Sequence, residues 1–197
     1  CPFQCIYCDI PSLARGKWRS RSPEHVLGEM QQLNDEGYRS IYLTDDHFLM
    51  QRKRIEAVCN GIIDKKLEFH WGCEGRVDSL AVEELPLMVK ANCTFLAFGV
   101  EAGTKKVLDR LKKGQTIEQI EYAIKQAKKD GIETAHGFFL VGSPDETVKD
   151  IQSINSAIER VQGTSSAIAA AIEEGLITPD DTIFCENGKF KVQRKYI

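Results

Sequence analysis

The sequence predicts an α/β fold on a parallel sheet, and two observations carry that expectation. Apolar runs of about five to eight residues alternate with single amphipathic helical patterns over most of the chain. The strand–helix unit recurs four or five times with little sequence similarity, so the repetition is architectural, and units of this kind join by right-handed crossovers.

Taken in order, "RSPEHVLGEMQQLNDEG" reads as a helix capped by Ser22, with Pro23 in its first turn and Gly37 ending it. Val26, Leu27, Met30 and Leu33 form its apolar stripe. "SIYLT" is a short apolar strand, followed by a helix within about 50–65 bearing Ile55, Val58, Ile62 and Ile63. "LEFHWGC" is a second strand. Ser79 is placed to begin a helix carrying Val82, Leu85, Met88 and Val89, although Pro86 inside it removes a backbone hydrogen bond. "CTFLAFGV" is a third strand. A short helix from Thr104 to about Lys113 precedes a longer one, opened by a capping box of Thr116 and Gln119 and closed by Gly131. "ETAHGFFLVG" is a fourth strand, and a helix over 147–161 turns Val148, Ile151, Ile154 and Ile158 inward. The pattern then breaks. A core over 1–162 gives way to a tail over 163–197, with a short alanine-rich helix and a β-hairpin turning at Asn187-Gly188.

Composition narrows the function classes. Net charge is −3, and the short basic clusters "QRKR", "LKK" and "KQAKK" fall within helical patterns as solvated faces, so nucleic acid is not indicated as a partner. No apolar run approaches the ~20 residues that span a bilayer. Seven cysteines, four of them (Cys59, Cys73, Cys93, Cys185) single among apolar segments, fit a reducing cytoplasm better than a disulfide framework.

Ligands of parallel α/β folds bind at the carboxyl ends of the strands. Those junctions carry Asp45 and Asp46; Glu74, Arg76 and Asp78; Glu101, Ala102 and Gly103; and Gly142-Ser143-Pro144. Singly, each has an ordinary reading as a turn, cap or surface ion-pair residue. Their common placement is an active-site layout.

The chain opens with "CPFQCIYC", three cysteines within eight residues. Soft thiolates suit zinc or an iron–sulfur cluster. Structural zinc wants four ligands, commonly in paired elements, and no second pair accompanies these. Three ligands to a four-iron cluster would leave one iron open.

The spacing Cys1-x3-Cys5-x-Tyr7-Cys8 resembles the radical S-adenosylmethionine (SAM) superfamily. The resemblance extends through "IYLTDDHF", "GCEGRVDSL", "FGVEAGTKKVLDRLKKG" and "HGFFLVGSPDETVKD", over about residues 1–160. These look like motifs of the subgroup that often carries a cobalamin-binding domain.

It implies a [4Fe-4S] cluster on Cys1, Cys5 and Cys8 whose open iron chelates SAM. Reductive cleavage would give a 5′-deoxyadenosyl radical for hydrogen abstraction or methyl transfer on an unknown substrate. An electron donor such as flavodoxin or ferredoxin is implied as a partner, and cobalamin only through a domain outside this sequence. Carried over by residue, Tyr7 would pack near the adenine, and Asp45 and Asp46 would receive the methionine amino group. Arg76 would pair with the SAM carboxylate, Glu101 would contact ribose or methionine, and Gly142 would let backbone approach the adenine. Ala102 departs from a frequent serine.

The implied fold is a partial (βα)6, TIM-like barrel of parallel strands with outer helices. Its first strand is expected ahead of Cys1, and its sixth is not recognisable after Val161. The other reading is a noncatalytic metal-binding or interaction domain on a degenerate barrel of this kind.

Overall fold

The computed structural model describes residues 1–80, 82–162, 182–186 and 189–193. Strands β1 (Ser40–Leu43), β2 (His70–Gly75), β3 (Cys93–Glu101) and β4 (Thr134–Phe139) form one sheet in the order β1-β2-β3-β4. Every neighbouring pair is parallel. Each crossover therefore adds its strand on the same side of the last one. Doubly wound sheets reverse direction at a switch point, whereas barrels do not, so the order is that of a barrel segment.

Helices α3 (Arg52–Asp64), α4 (Leu85–Lys90) and α6 (Ile117–Lys129) supply the three crossovers, α2 (Pro23–Asp35) precedes β1 and α7 (Val148–Gln162) follows β4, with short α1 (Ile10–Leu13) and α5 (Lys105–Arg110) at the strand tips. Side chains alternate across a strand. One face of the sheet buries Ile41, Trp71, Cys73, Leu96, Phe98 and Ala135, in one cluster with Met30, Ile55, Val58, Ile62, Met88 and Ile120 from the helices. The Trp71 indole N–H is satisfied within that core, donating to the Ala91 carbonyl at 2.7 Å.

Local signals explain the helix ends. Ser22 Oγ accepts from the His25 N–H, and Pro23 occupies the first turn of α2. Thr116 and Gln119 form the expected reciprocal capping box on α6. The helix expected from Ser79 begins instead at Leu85, which puts Pro86 in the first turn, where its missing N–H costs nothing. Two short 3-10 turns, Val77–Ser79 and Val82–Glu84, precede it. The second strand starts at His70, later than expected, although Leu67 and Phe69 ahead of it are buried.

Two basic clusters depart from the solvated-face expectation. Arg54 and Lys113 are buried, at 4% and 5% exposure. Lys113 lies beyond the end of α5 at Arg110, so helical periodicity does not govern where it points. Lys125, Lys128 and Lys129 of the third cluster are exposed as expected.

Ile151 and Ile154 face inward from α7, and a methyl group on Gly103 would overlap the Ile154 backbone. The Asp150 carboxylate fastens the same helix, accepting from Thr104 Oγ1 at 3.2 Å and Lys106 Nζ at 3.0 Å. Strands β5 (Thr182–Glu186) and β6 (Lys189–Gln193) pair antiparallel, with Glu186 opposite Lys189. That is the hairpin expected around Asn187-Gly188, although those two turn residues lie outside the described residues, as does the expected alanine-rich helix.

Candidate functional site

A cleft of about 310 Å³ opens at the carboxyl ends of the four parallel strands. Of the residues to which the resemblance gives a cluster or SAM role, all but Gly142 line it: Cys1, Cys5, Tyr7, Cys8, Asp45, Asp46, Arg76 and Glu101. The cysteine loop is tied to the barrel by the Ile6 N–H, which donates to the Leu111 carbonyl at 3.1 Å, and closes on itself from Cys8 N–H to Cys5 O at 3.2 Å. Cys5 is buried, and Cys1 and Cys8 are partly open.

At the end of β3, Glu101 adopts a left-handed backbone conformation (φ +71°) after a register shift between Gly99 and Glu101. The irregularity is supported rather than loose. The Gln115 side-chain amide donates to the Gly99 carbonyl at 2.8 Å, and the Leu140 N–H donates to the Glu101 carbonyl at 2.9 Å. The Glu101 carboxylate accepts from Lys113 Nζ at 2.8 Å and from the Tyr7 hydroxyl at 2.7 Å, and Lys113 Nζ lies 3.1 Å from the Tyr7 oxygen. Burial, reinforced by Glu101, raises the Tyr7 pKa, so its phenol stays a neutral donor. Gly99 makes room for this group, since a methyl there would meet both Glu101 Oε1 and Lys113 Nζ.

Arg76 is buried under the cysteine loop. Its Nε and Nη2 form a fork to Asp78 at 2.9 and 2.8 Å, and Nη2 also donates to the Lys113 carbonyl. Its Nη1 lies 3.5 Å from Cys5 Sγ, and its guanidinium sits 3.8 Å from the centre of the Phe3 ring.

Asp45 pairs at 3.4 Å with Arg54 of α3, which a ring contact with Phe48 also holds. Asp46 is exposed and has no side-chain hydrogen bond or ion pair among the described residues. Gly142 stands apart: its N–H donates to the Glu146 carboxylate at 2.7 Å, beside the Ser143 N–H at 3.1 Å. Glu146 thus shapes the loop after β4.

Sequence reasoning missed Lys113 and His47. Lys113 was hidden in a run that looks like a helix surface. His47, buried at 2% exposure, accepts or donates at Nε2 with Ser79 Oγ at 3.0 Å, while its buried Nδ1 has no partner. Burial, then Arg76, lowers its pKa to about 4. Only its position directly after the two aspartates hinted at the site.

The donor set fits a four-iron cluster. Such a cube takes one soft thiolate per iron, and the three thiols lining this cleft would serve three of its four irons. A lone zinc would need converged ligands. Among the described residues, no three His, Cys, Asp or Glu side chains gather that way. All six described cysteines are free thiols.

Known proteins resemble this chain in sequence and in fold. The family model described as the radical SAM superfamily matches residues 1–157. An uncharacterized methyltransferase of Pyrococcus horikoshii is 34% identical over 155 residues, covering 78% of this chain and 33% of that protein. The anaerobic magnesium-protoporphyrin IX monomethyl ester cyclase of Rubrivivax gelatinosus is 33% identical over 157 residues, 77% of this chain and 28% of that protein. Among solved structures, the radical SAM methyltransferase TsrM of Kitasatospora setae, with cobalamin and a [4Fe-4S] cluster bound, superposes with a TM-score of 0.74. It is 19% identical, and the match covers 82% of this chain and 33% of that one. The chain thus spans about a third of the length of these relatives. With the cysteine loop set at the strand tips of a barrel segment and the family match running through the last described strand of that sheet, the chain belongs to the radical SAM superfamily.

Proposed function

We propose that the protein containing this chain is a radical SAM enzyme, with Cys1, Cys5 and Cys8 holding a [4Fe-4S] cluster. One observation carries the reading: three thiols, the β1-end aspartates and Glu101 line a single cleft at the strand tips. A bound cluster would supply the electron that cleaves SAM to methionine and a 5′-deoxyadenosyl radical, for hydrogen abstraction or methyl transfer on a substrate.

The chain's own residues have distinct tasks. Asp46, exposed in the cleft, is suited to receive the methionine amino group, with Asp45 beside it held by Arg54. Glu101, fixed by Lys113 and Tyr7, presents a carboxylate of defined position to the ribose or methionine moiety. Tyr7 packs near the adenine, and Gly142 lets the loop after β4 approach it. Arg76 has its fork filled by Asp78, so its contribution is to position the Cys5 thiolate rather than to grip a carboxylate. The enzyme works in the cytoplasm, where thiols stay reduced, with a flavodoxin or ferredoxin as electron donor. Cobalamin would enter only through a domain outside this chain.

Anaerobic reconstitution with iron and sulfide tests the cluster. The expected result is about four irons and four sulfides per chain with charge-transfer absorption near the visible range, lost on Cys5→Ala because two thiolates cannot hold the cube. Zinc at one per chain with no iron would instead favour a noncatalytic metal-binding domain.

A further inference from the structure

The face of the sheet opposite the helices carries a row of rings. Tyr42 of β1 meets Phe95 of β3 edge to face at 5.6 Å, Phe95 stacks on His136 of β4 at 6.1 Å and 23°, and His136 meets Phe138 at 5.0 Å. Ring pairs at these spacings hold one another in place. The row nevertheless remains accessible, with Tyr42 at 42% and Phe138 at 45% exposure.

Here Phe95 lies against Gly72, where any side chain would collide, so the Phe95 ring reaches across β2 to Tyr42. The face also has a polar group of fixed orientation: the Tyr42 hydroxyl donates to Glu74 at 2.9 Å, and burial with Glu74 keeps that phenol protonated. Of the four rings Phe138 lines the same cleft as the three cysteines, and so does Glu74, the hydrogen-bond partner of Tyr42. A molecule lying along the rings is therefore continuous with the space assigned to SAM.

We infer that this ring row is the substrate-binding wall of the site and that it takes an extended, planar conjugated molecule. The inference rests on the radical SAM reading for what happens to that molecule, but not for its binding. Width argues for an extended ligand, since the rings come from three strands and no single pair encloses a small one. Planar conjugated faces meet ring edges and faces favourably, whereas a flexible aliphatic chain gains only area.

Metal-free protoporphyrin IX serves as the probe, titrated into the reconstituted full-length protein and followed by its Soret band, with decanoate as an aliphatic competitor. Saturable binding is expected, weakened about tenfold or more by Phe138→Leu and by Phe95→Leu, which keep apolar bulk but remove the ring. Tyr122→Ala, an exposed ring on α6 away from the cleft, should leave binding unchanged. Circular dichroism and thermal melting establish that each variant folds. Absent binding, equal binding by the ring-deleted variants, or full displacement by decanoate would each overturn the inference. The Cys5→Ala chain separates the two readings: it should bind the porphyrin while forming no cluster. If the wild type binds porphyrin through these rings yet never yields 5′-deoxyadenosine, the enzyme reading fails and the ring wall stands.

Discussion

Glu101 makes the greatest demand on its surroundings of any residue in the cleft. A non-glycine residue in the left-handed region costs roughly 1–3 kcal/mol, and its carboxylate is buried as well. Lys113 supplies the compensating charge, with side-chain exposures of 5% and 8% for the pair. Lys113→Met would leave a buried, uncompensated carboxylate, and the expected loss is about 3–5 kcal/mol in urea denaturation. Adding Glu101→Gln should recover part of that loss, since a neutral amide needs no counter-charge.

His47 makes a second prediction at this scale. Its folded-state pKa of about 4 lies below the ordinary 6.5, so the unfolded chain binds the proton more tightly. Above about pH 6.5 the residue is neutral in both states and costs nothing. As pH falls from 6.5 through 4, protonation favours the unfolded chain, with a loss on the order of 3 kcal/mol when complete. Stability measured across that window should be flatter in His47→Gln. Cysteine spacing and rim carboxylates were legible in the sequence because their signals are local. Lys113 and His47 were not, since their burial follows from which distant elements cover them.

Among the elements, termini with chemical markers were read well. Ser22, Thr116 with Gln119, and the Asn-Gly hairpin all act within a few residues of themselves. Thr116→Ala should lower stability by about 1 kcal/mol, visible as a lower urea midpoint with an unchanged slope, because it leaves an N-terminal amide unsatisfied. The α4 start was misjudged for a related reason. The apolar spacing from Val82 to Val89 looks helical, yet Pro86 can sit only in a first turn, and the preceding segment takes two 3-10 turns instead. At Gly103 the backbone of α7 packs directly against the segment after β3. Gly103→Ala would force the Ile154 backbone away from the sheet, and α7 amides should exchange with solvent faster while those of β2 and β3 keep their protection.

For the molecule as a whole, sequential strand order and one covered face give a curved parallel sheet with its tips converging on a single cleft. Alternation in the sequence predicted the parallel sheet, but not the order of its strands. A doubly wound sheet has the same alternation, and the family resemblance decided between the two. The gathering of Cys1, Cys5 and Cys8 with Asp45, Asp46 and Glu101 is a property of this topology, which brings residues a hundred positions apart to one rim. A cluster held at this rim would cleave SAM by one-electron reduction. The most direct measurement is 5′-deoxyadenosine formed by the anaerobically reconstituted full-length protein, given SAM and dithionite. The wild type should form 5′-deoxyadenosine and Cys5→Ala none. A wild type that holds its full complement of iron and sulfide yet forms no 5′-deoxyadenosine above the Cys5→Ala background would contradict it.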